Sequence, residues 1–159
     1  MKKWFITISV ITIVFVIAIS AFVYYIVRAP LEQGYEQAER YVVGQHILDE
    51  VDTITYYHGT EPFYVLHGKR EGEEIIVWIQ QSFDQVVSRK VSEGITVEEA
   101  LSKAKADLNI SSVERIRLGF ERDVPIYEVV FVDKENRQGY YYVTFDDGTF
   151  MKRYSLRRD

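Results

Sequence analysis

The sequence contains no cysteine and only three histidines in 159 residues. Without cysteine the chain can form no disulfide, no thiolate metal site and no cysteine nucleophile. The histidines, His46, His58 and His67, do not have the H-E-x-x-H spacing or another close ligand spacing. G-x-S-x-G and the phosphate-loop glycine pattern are also missing. We therefore predict no catalytic residue, no metal ligand and no cofactor site, and a protein that is not an enzyme.

Acidic residues are missing from the first 28 positions, and basic residues are scarce there. All 24 acidic residues follow this segment, whereas two of the 19 basic residues, Lys2 and Lys3, lie at its start. The remainder is therefore more acidic than the net charge of −5 for the whole chain. Binding of a nucleic-acid backbone needs clustered Lys and Arg. We predict no nucleic-acid partner.

One run of residues, Trp4–Val27, contains no charge at all. As a helix it would be about 36 Å long at about 1.5 Å per residue, which is enough to cross a bilayer core of about 30 Å. We predict that residues 1–28 form a cytoplasmic stub and a transmembrane anchor, with lipid contacted through residues 4–27. Lys2 and Lys3 before the run, against Arg28 alone after it, favour a cytoplasmic N-terminus and an extracellular C-terminal domain.

A cleaved signal peptide is the alternative interpretation of this run. Ala18-Ile19-Ser20 resembles a small-x-small cleavage site, and signal peptides also begin with positive charge. However, the apolar run continues to Val27, whereas the apolar region of a signal peptide is about 7–15 residues long. A retained anchor is therefore favoured. Both interpretations export residues 29–159.

The second half of the chain has the pattern of one helix followed by four strands. A helix is predicted for Thr96–Leu108, because Thr96 and Glu99 have capping-box spacing and apolar residues recur every three or four positions. That apolar stripe consists of Val97, Ala100, Leu101, Ala104 and Leu108. The predicted strands are Val113–Phe120, Ile126–Val132, Tyr140–Phe145 and Phe150–Tyr154. A helix followed by an antiparallel meander predicts the α+β class.

The first half repeats this order. A helix is predicted for Leu31–Glu50, with Pro30 at its first turn and His46 on it. The strands predicted to follow are Thr53–Tyr57, Phe63–His67, Ile75–Ile79 and Gln85–Arg89. Pro62-Phe63-Tyr64 also corresponds to Pro125-Ile126-Tyr127. We predict a degenerate duplication with two modules, residues 29–90 and 91–159.

Aromatic residues in the predicted strands are candidates for partner binding. The candidates are Trp78, Tyr140 and Tyr142, because Tyr and Trp are enriched at the centres of protein interfaces. Packing within the core or between modules is the alternative. In the strand 126–132 both alternating sets of residues are apolar except for Glu128, which predicts that both faces of this strand are covered.

Three stretches of the second half resemble a PepSY module. Ile95–Leu101 has the T-x-E-E-A helix start, Pro125–Val129 has the P-x-Y-E-V strand, and Tyr142–Gly148 has the terminal hairpin with a shorter turn than usual. In the first half, Tyr64–Gly68 and Ile76–Ile79 are similar to the first module of the TseB/YpmB-like group. The whole chain resembles that group of cell-wall elongation regulators from Gram-positive bacteria.

The resemblance implies an N-terminal anchor followed by two cystatin-like modules, of which the second is PepSY-like. It also implies non-enzymatic regulation of peptidoglycan synthesis through binding of a membrane-anchored class B penicillin-binding protein, the elongation transpeptidase. A PepSY-type peptidase inhibitor or chaperone-like module at the membrane surface is the alternative. The family supplies no catalytic or binding residue to carry over, and whether the effect is activating or inhibitory stays open.

Overall fold

The computed structural model describes the backbone of residues 2–158. The side chains of residues 2–3, 5–7, 9–10 and 27–29 lie outside the described part. The predicted orientation in the membrane depends on the side chains of Lys2, Lys3 and Arg28, which lie outside the described part. The chain divides into two compact units, residues 1–37 and 38–159.

The first helix, α1, extends from Lys2 to Gly44, which corrects two predictions. Pro30 lies inside α1 and not at the first turn of a separate helix. The helix also ends before Glu50, because His46 adopts a left-handed conformation with φ 56°. That conformation lets the Ile47 amide donate to the Val42 carbonyl at 2.9 Å, which ends the helix. His46 therefore lies in a turn.

Helix α1 includes a stretch that is long and apolar enough to cross a membrane. Among the described residues this stretch belongs to the segment Ile11–Gly44. Every side chain of residues 11–26 is exposed. An apolar surface of this length fits lipid better than water. The helix thus fits a membrane-anchored protein, while its orientation and retention stay predictions.

Four antiparallel strands follow α1 in sequence order; the first three are longer than predicted, and the fourth is shifted by one residue. They are β1 (Glu50–His58), β2 (Pro62–Arg70), β3 (Glu73–Gln80) and β4 (Val86–Lys90). The end of α1 is packed, because Ala38 and Val42 are fully buried and the rings of Tyr41 and Phe83 are 5.4 Å apart. In the first half of the chain the end of α1 therefore packs with an antiparallel sheet.

The second half repeats this architecture and confirms the α+β class. After a single 3₁₀ turn at Val91–Glu93 come α2 (Val97–Asp107), β5 (Ile110–Glu121), β6 (Val124–Asp133), β7 (Arg137–Thr144) and β8 (Phe150–Arg157). The break predicted at residues 121–125 is only two residues long. Arg122 and Asp123 have φ of 51° and 66°, as a tight hairpin turn requires. Glu121 therefore lies at the end of β5 and not in a loop.

Helix α2 approaches its sheet through small side chains. The predicted capping box is present, with the Glu99 amide donating to Thr96 Oγ1 at 3.2 Å and the Thr96 amide donating to Glu99 Oε2 at 2.8 Å. Ala100 and Ala104 are fully buried, whereas Leu101 is half-buried. Val97, predicted to belong to the apolar stripe, is exposed. The buried face of α2 is therefore narrower than its apolar stripe.

Enlarging the buried face of α2 should destabilise the protein. We expect Ala104→Leu to lower the free energy of unfolding by about 1–3 kcal/mol, the usual cost of overpacking a filled core. The matched control is Ala106→Leu on the exposed face of the same helix, which should change it by less than about 0.5 kcal/mol. Urea unfolding of the full chain in detergent micelles, followed by circular dichroism, measures both. Equal effects would mean that the buried face is misassigned.

The two sheets share one hydrophobic core. The rings of Phe63 and Phe120 are 4.4 Å apart, and those of Trp78 and Phe145 are 5.4 Å apart. At Gly119 a Cβ atom would overlap the ring of Tyr57, so this strand position needs glycine. Almost every residue of β6 is buried, which confirms that both of its faces are covered. The second sheet is thus held against the first by direct packing.

Candidate functional site

Trp78, the first partner-binding candidate, lies in the shared core. Its side chain has no exposed surface, and its ring meets that of Phe145 edge-on. Its indole Nε1 is buried without a hydrogen-bond partner among the described residues. A role of Trp78 in partner binding stays a prediction. Its position indicates packing between the modules.

Tyr140 and Tyr142 lie on the face of the second sheet that points away from α2. The hydroxyl of Tyr141 donates to Asp107 of α2, so Tyr141 faces the helix. Because neighbours in a strand point to opposite faces, Tyr140 and Tyr142 face the other way. There they border an open concavity of about 470 Å³. We call it the tyrosine groove. It is lined by Tyr140, Tyr142, Tyr154, Leu156, Arg115, Arg117, Lys152, Glu121, Glu128, His58, Gly59 and Thr60.

Glu128 is the buried centre of the groove floor, with 3% of its surface exposed. It accepts hydrogen bonds from Arg117 Nε at 2.7 Å and from the Tyr142 hydroxyl at 2.8 Å. The Tyr142 and Tyr154 hydroxyls are 3.0 Å apart. Burial raises the pKa of Tyr142, and the hydrogen bond with Tyr154 and the negative charge of Glu128 raise it further. Tyr142 is therefore a neutral donor that fixes the buried carboxylate.

Glu121 is a second buried carboxylate, and it joins the two modules. It accepts hydrogen bonds from the Tyr57 hydroxyl at 3.0 Å, Thr60 Oγ1 at 2.9 Å and Lys152 Nζ at 2.9 Å. Burial is the largest influence on its pKa and raises it, but the hydrogen bonds from Lys152, Thr60 and Tyr57 together outweigh burial. The pKa of Glu121 is consequently lower than usual. We call these four residues the Glu121 cluster.

The cations of the groove are held against aromatic rings and remain partly exposed. The Arg117 guanidinium lies 4.9 Å from the centre of the Tyr57 ring, and Lys152 Nζ lies 4.5 Å from that of Tyr142. Such contacts stabilise a cation by about 0.5–2 kcal/mol. The side chains of Arg117 and Lys152 keep about a third of their surface in solvent. Positive charge thus faces outward above two buried negative charges.

The groove combines charged side chains with aromatic surface. Of the three histidines, only His58 lies beside it, and that side chain is exposed. His67 is half-buried on β2, where burial lowers its pKa, and His46 lies in the turn after α1. Within residues 2–158 no three His, Asp or Glu side chains are grouped so that they could hold a metal ion. Both groove carboxylates are occupied by fixed hydrogen-bond donors.

The sequence indicates Tyr140 and Tyr142 as candidates but not the charged residues between them. Glu128 was the single interruption of an apolar strand, and a buried charge must have a partner. That signal could have located the site, because Arg117 is the nearest basic residue on the adjacent strand. Glu121 gave no such signal, because it was predicted to lie in a loop.

Comparisons with known proteins match both halves of the chain. The model of the cell wall elongation regulator TseB-like domain matches residues 37–80, and that of the PepSY peptidase propeptide and YPEB domain matches residues 94–154. The probable cell wall elongation regulator TseB of Bacillus subtilis (strain 168) is 29% identical over 139 residues, which is 86% of each chain. The solved YpmB protein from Bacillus subtilis has a TM-score of 0.66 and 28% identity, covering 69% of this chain and 87% of its own.

These matches support the TseB/YpmB-like family for this chain. Its regulatory role and its two-sheet α+β fold are supported by the same matches. In this TseB/YpmB-like protein the PepSY region includes β5, β6, β7 and most of β8, so it supplies most of the tyrosine groove. The TseB-like region contributes Tyr57 and Thr60, which hold Glu121. The groove is therefore assembled from both family regions.

Proposed function

We propose that this protein is a non-enzymatic, extracytoplasmic regulator of cell-wall elongation that acts by binding a membrane-anchored class B penicillin-binding protein, the elongation transpeptidase. The main support is its likeness to a probable cell wall elongation regulator over most of both chains. The apolar helix supports action at a membrane. The groove, which has exposed cations and tyrosines but no free nucleophile–base pair among the described residues, supports binding over catalysis.

The proposed topology places the N-terminus in the cytoplasm and residues 29–159 outside the cell, in modules 29–90 and 91–159. Anchoring both partners in one membrane confines them to a thin layer and raises their effective concentration. A weak interface can then suffice for regulation. The tether is thus part of the mechanism.

Exchange of the anchor tests this proposal. A chain with an unrelated transmembrane helix in place of residues 4–27 should restore function in cells that lack the protein. An exported chain without any anchor should restore it poorly and should capture at least about tenfold less transpeptidase by in-cell crosslinking, because effective concentration is lost. Equal activity of the two chains would contradict a tether-dependent contact.

Single substitutions distinguish contact from catalysis. Replacing His46, His58 and His67 one at a time with alanine, and each exposed Asp or Glu with its amide, should leave function largely intact. Cell-shape and growth measurements in complemented cells provide the readout. One such variant that loses all function while it remains folded, exported and transpeptidase-bound would indicate an enzyme.

Inhibition of a peptidase is a second candidate function, favoured by the PepSY match at residues 94–154, whose family includes peptidase propeptides. In-cell crosslinking followed by mass spectrometry separates the two functions. Capture of the transpeptidase supports regulation of elongation. Capture of a membrane-bound peptidase, together with a rise of its activity in cells that lack this protein, supports the second candidate.

A further inference from the structure

The negative charges of the tyrosine groove are buried, whereas its positive charges are at least partly exposed. Glu121 and Glu128 each keep only 3% of their surface exposed, so they present almost no negative charge to a ligand. Arg115 has 55% of its side chain in solvent, and its only ion pair in the described chain is a 3.9 Å contact with Glu128. Arg117 and Lys152 are also partly exposed. The groove therefore presents positive charge on a chain whose net charge is −5.

Apolar surface borders these cations. Tyr154 and Leu156 are exposed large side chains of β8 and line the same groove. Tyr154 is stacked on Tyr140, with ring centres 4.7 Å apart, so the two rings form one continuous aromatic wall. Tyr and Arg are the residue types that dominate binding energy at protein interfaces. A continuous aromatic wall beside fixed cations favours a ligand with both carboxylates and apolar side chains.

We propose that the tyrosine groove binds an acidic segment of a protein partner, whose carboxylates pair with Arg115 and Lys152 and whose apolar side chains pack on Tyr154 and Leu156. Arginine is suited to this role because its planar fork of donors matches a carboxylate. The buried carboxylate Glu121 holds Lys152 in place at 2.9 Å, so little order of that side chain is lost on binding. The proposal rests on the proposed function, because it assigns this segment to the class B penicillin-binding protein.

A second copy of this chain fits the groove less well. A symmetric pair of grooves would place the exposed Arg115 and Lys152 of each copy near those of the other. Like charges facing each other across an interface are unfavourable. Charge complementarity therefore selects an acidic partner over self-association.

Charge reversal at Arg115 tests the assignment. The full chain in detergent micelles is titrated with the purified extracellular domain of the transpeptidase, and the Kd is measured. Arg115→Glu should raise the Kd by at least about tenfold, and the neutral Arg115→Gln by about threefold, because a pairing charge is reversed or lost. The matched control is Arg153→Glu, which makes the same charge change on the α2 side of β8, where Arg153 lies opposite Tyr141. It should change the Kd by less than about threefold, as expected of a charge outside the interface.

The outcomes separate the groove from the proposed function. Equal weakening by Arg115→Glu and Arg153→Glu would indicate a general charge effect and would overturn the groove assignment. Unchanged binding by Arg115→Glu, in a variant whose circular dichroism and melting match the wild type, would overturn the groove but keep the proposed function. A change in oligomeric state caused by Arg115→Glu would identify a second copy as the occupant and would also overturn the assignment. A missing crosslink from a photoreactive residue at position 156, while crosslinkers elsewhere on the chain capture the transpeptidase, would overturn the groove only. No binding by the wild type in the titration, together with no capture of the transpeptidase by any in-cell crosslinking, would reject both.

Discussion

Trp78→Ala should lower the free energy of unfolding by about 3–5 kcal/mol, the usual cost of truncating a large buried aromatic side chain. Trp78 is fully buried in the core shared by the two sheets and meets the ring of Phe145. The substitution would leave a cavity between the modules that neither sheet can close without moving. Urea unfolding of the full chain in detergent micelles, followed by circular dichroism, measures the loss.

The matched control is Trp4→Ala, because Trp4 is the only other tryptophan in the sequence and its surface is 75% exposed. In micelles this change should alter the free energy of unfolding of the sheets by less than about 0.5 kcal/mol. If Trp78→Ala were as mild as the control, and reduced transpeptidase binding instead, the side chain would have to be accessible to a partner. That result would favour the partner-binding prediction for Trp78 over its role in packing.

Removing the carboxylate of the Glu121 cluster should have the second-largest effect. Glu121→Ala leaves Tyr57, Thr60 and Lys152 without their common acceptor. We expect a loss of about 2–3 kcal/mol, which is below the 3–5 kcal/mol typical of a fully buried pair because Lys152 can reach water. Unfolding midpoints in urea at neutral pH measure it. A loss below about 0.5 kcal/mol would mean that the cluster does not hold the modules together.

The pH dependence of stability tests whether the charge of Glu121, and not only the shape of its side chain, stabilises the protein. Its pKa is lower in the folded protein than the ordinary value of about 4.3, so its stabilising effect is present above that pH. The effect is lost as the pH falls through the lowered pKa. The difference in stability between the wild type and the isosteric Glu121→Gln should therefore be largest above about pH 5 and should shrink in acid. A difference that is constant from neutral pH to about pH 3 would contradict a role for the charge.

Local sequence signals predicted the elements of the fold well. Thr96 and Glu99 marked the start of α2 because a capping box needs only residues three positions apart. Most strands extend beyond their predicted ends. At the turn between β5 and β6 the reason is that Arg122 and Asp123 do not resemble the Asn-Gly pair usual in tight turns. The sequence predicts a helix start at Pro30, because an interior proline removes a hydrogen bond and its ring clashes with the carbonyl four residues earlier. In the structure α1 nevertheless continues through Pro30.

The site was less predictable because its contacts join distant parts of the chain. Tyr57 and Glu121 are 64 residues apart, and no local pattern links a tyrosine in one module to a carboxylate in the other. The face of the sheet on which Tyr140 and Tyr142 lie could be expected from strand alternation alone. What the alternation could not predict was that Tyr142 would be buried by Glu128, Tyr154 and Lys152, while Tyr140 stayed half-exposed.

The contact between Gly119 and Tyr57 restricts how related sequences can vary. A side chain at position 119 would occupy the space of the Tyr57 ring, so a larger residue in the second module requires a smaller one in the first. The two positions should consequently change together during evolution, although they belong to different modules. A chimera that joins the first half of one relative to the second half of another should fold only when this pair is compatible. In a chimera that fails to fold, replacing the residues at positions 57 and 119 with the pair found in a single relative should restore folding.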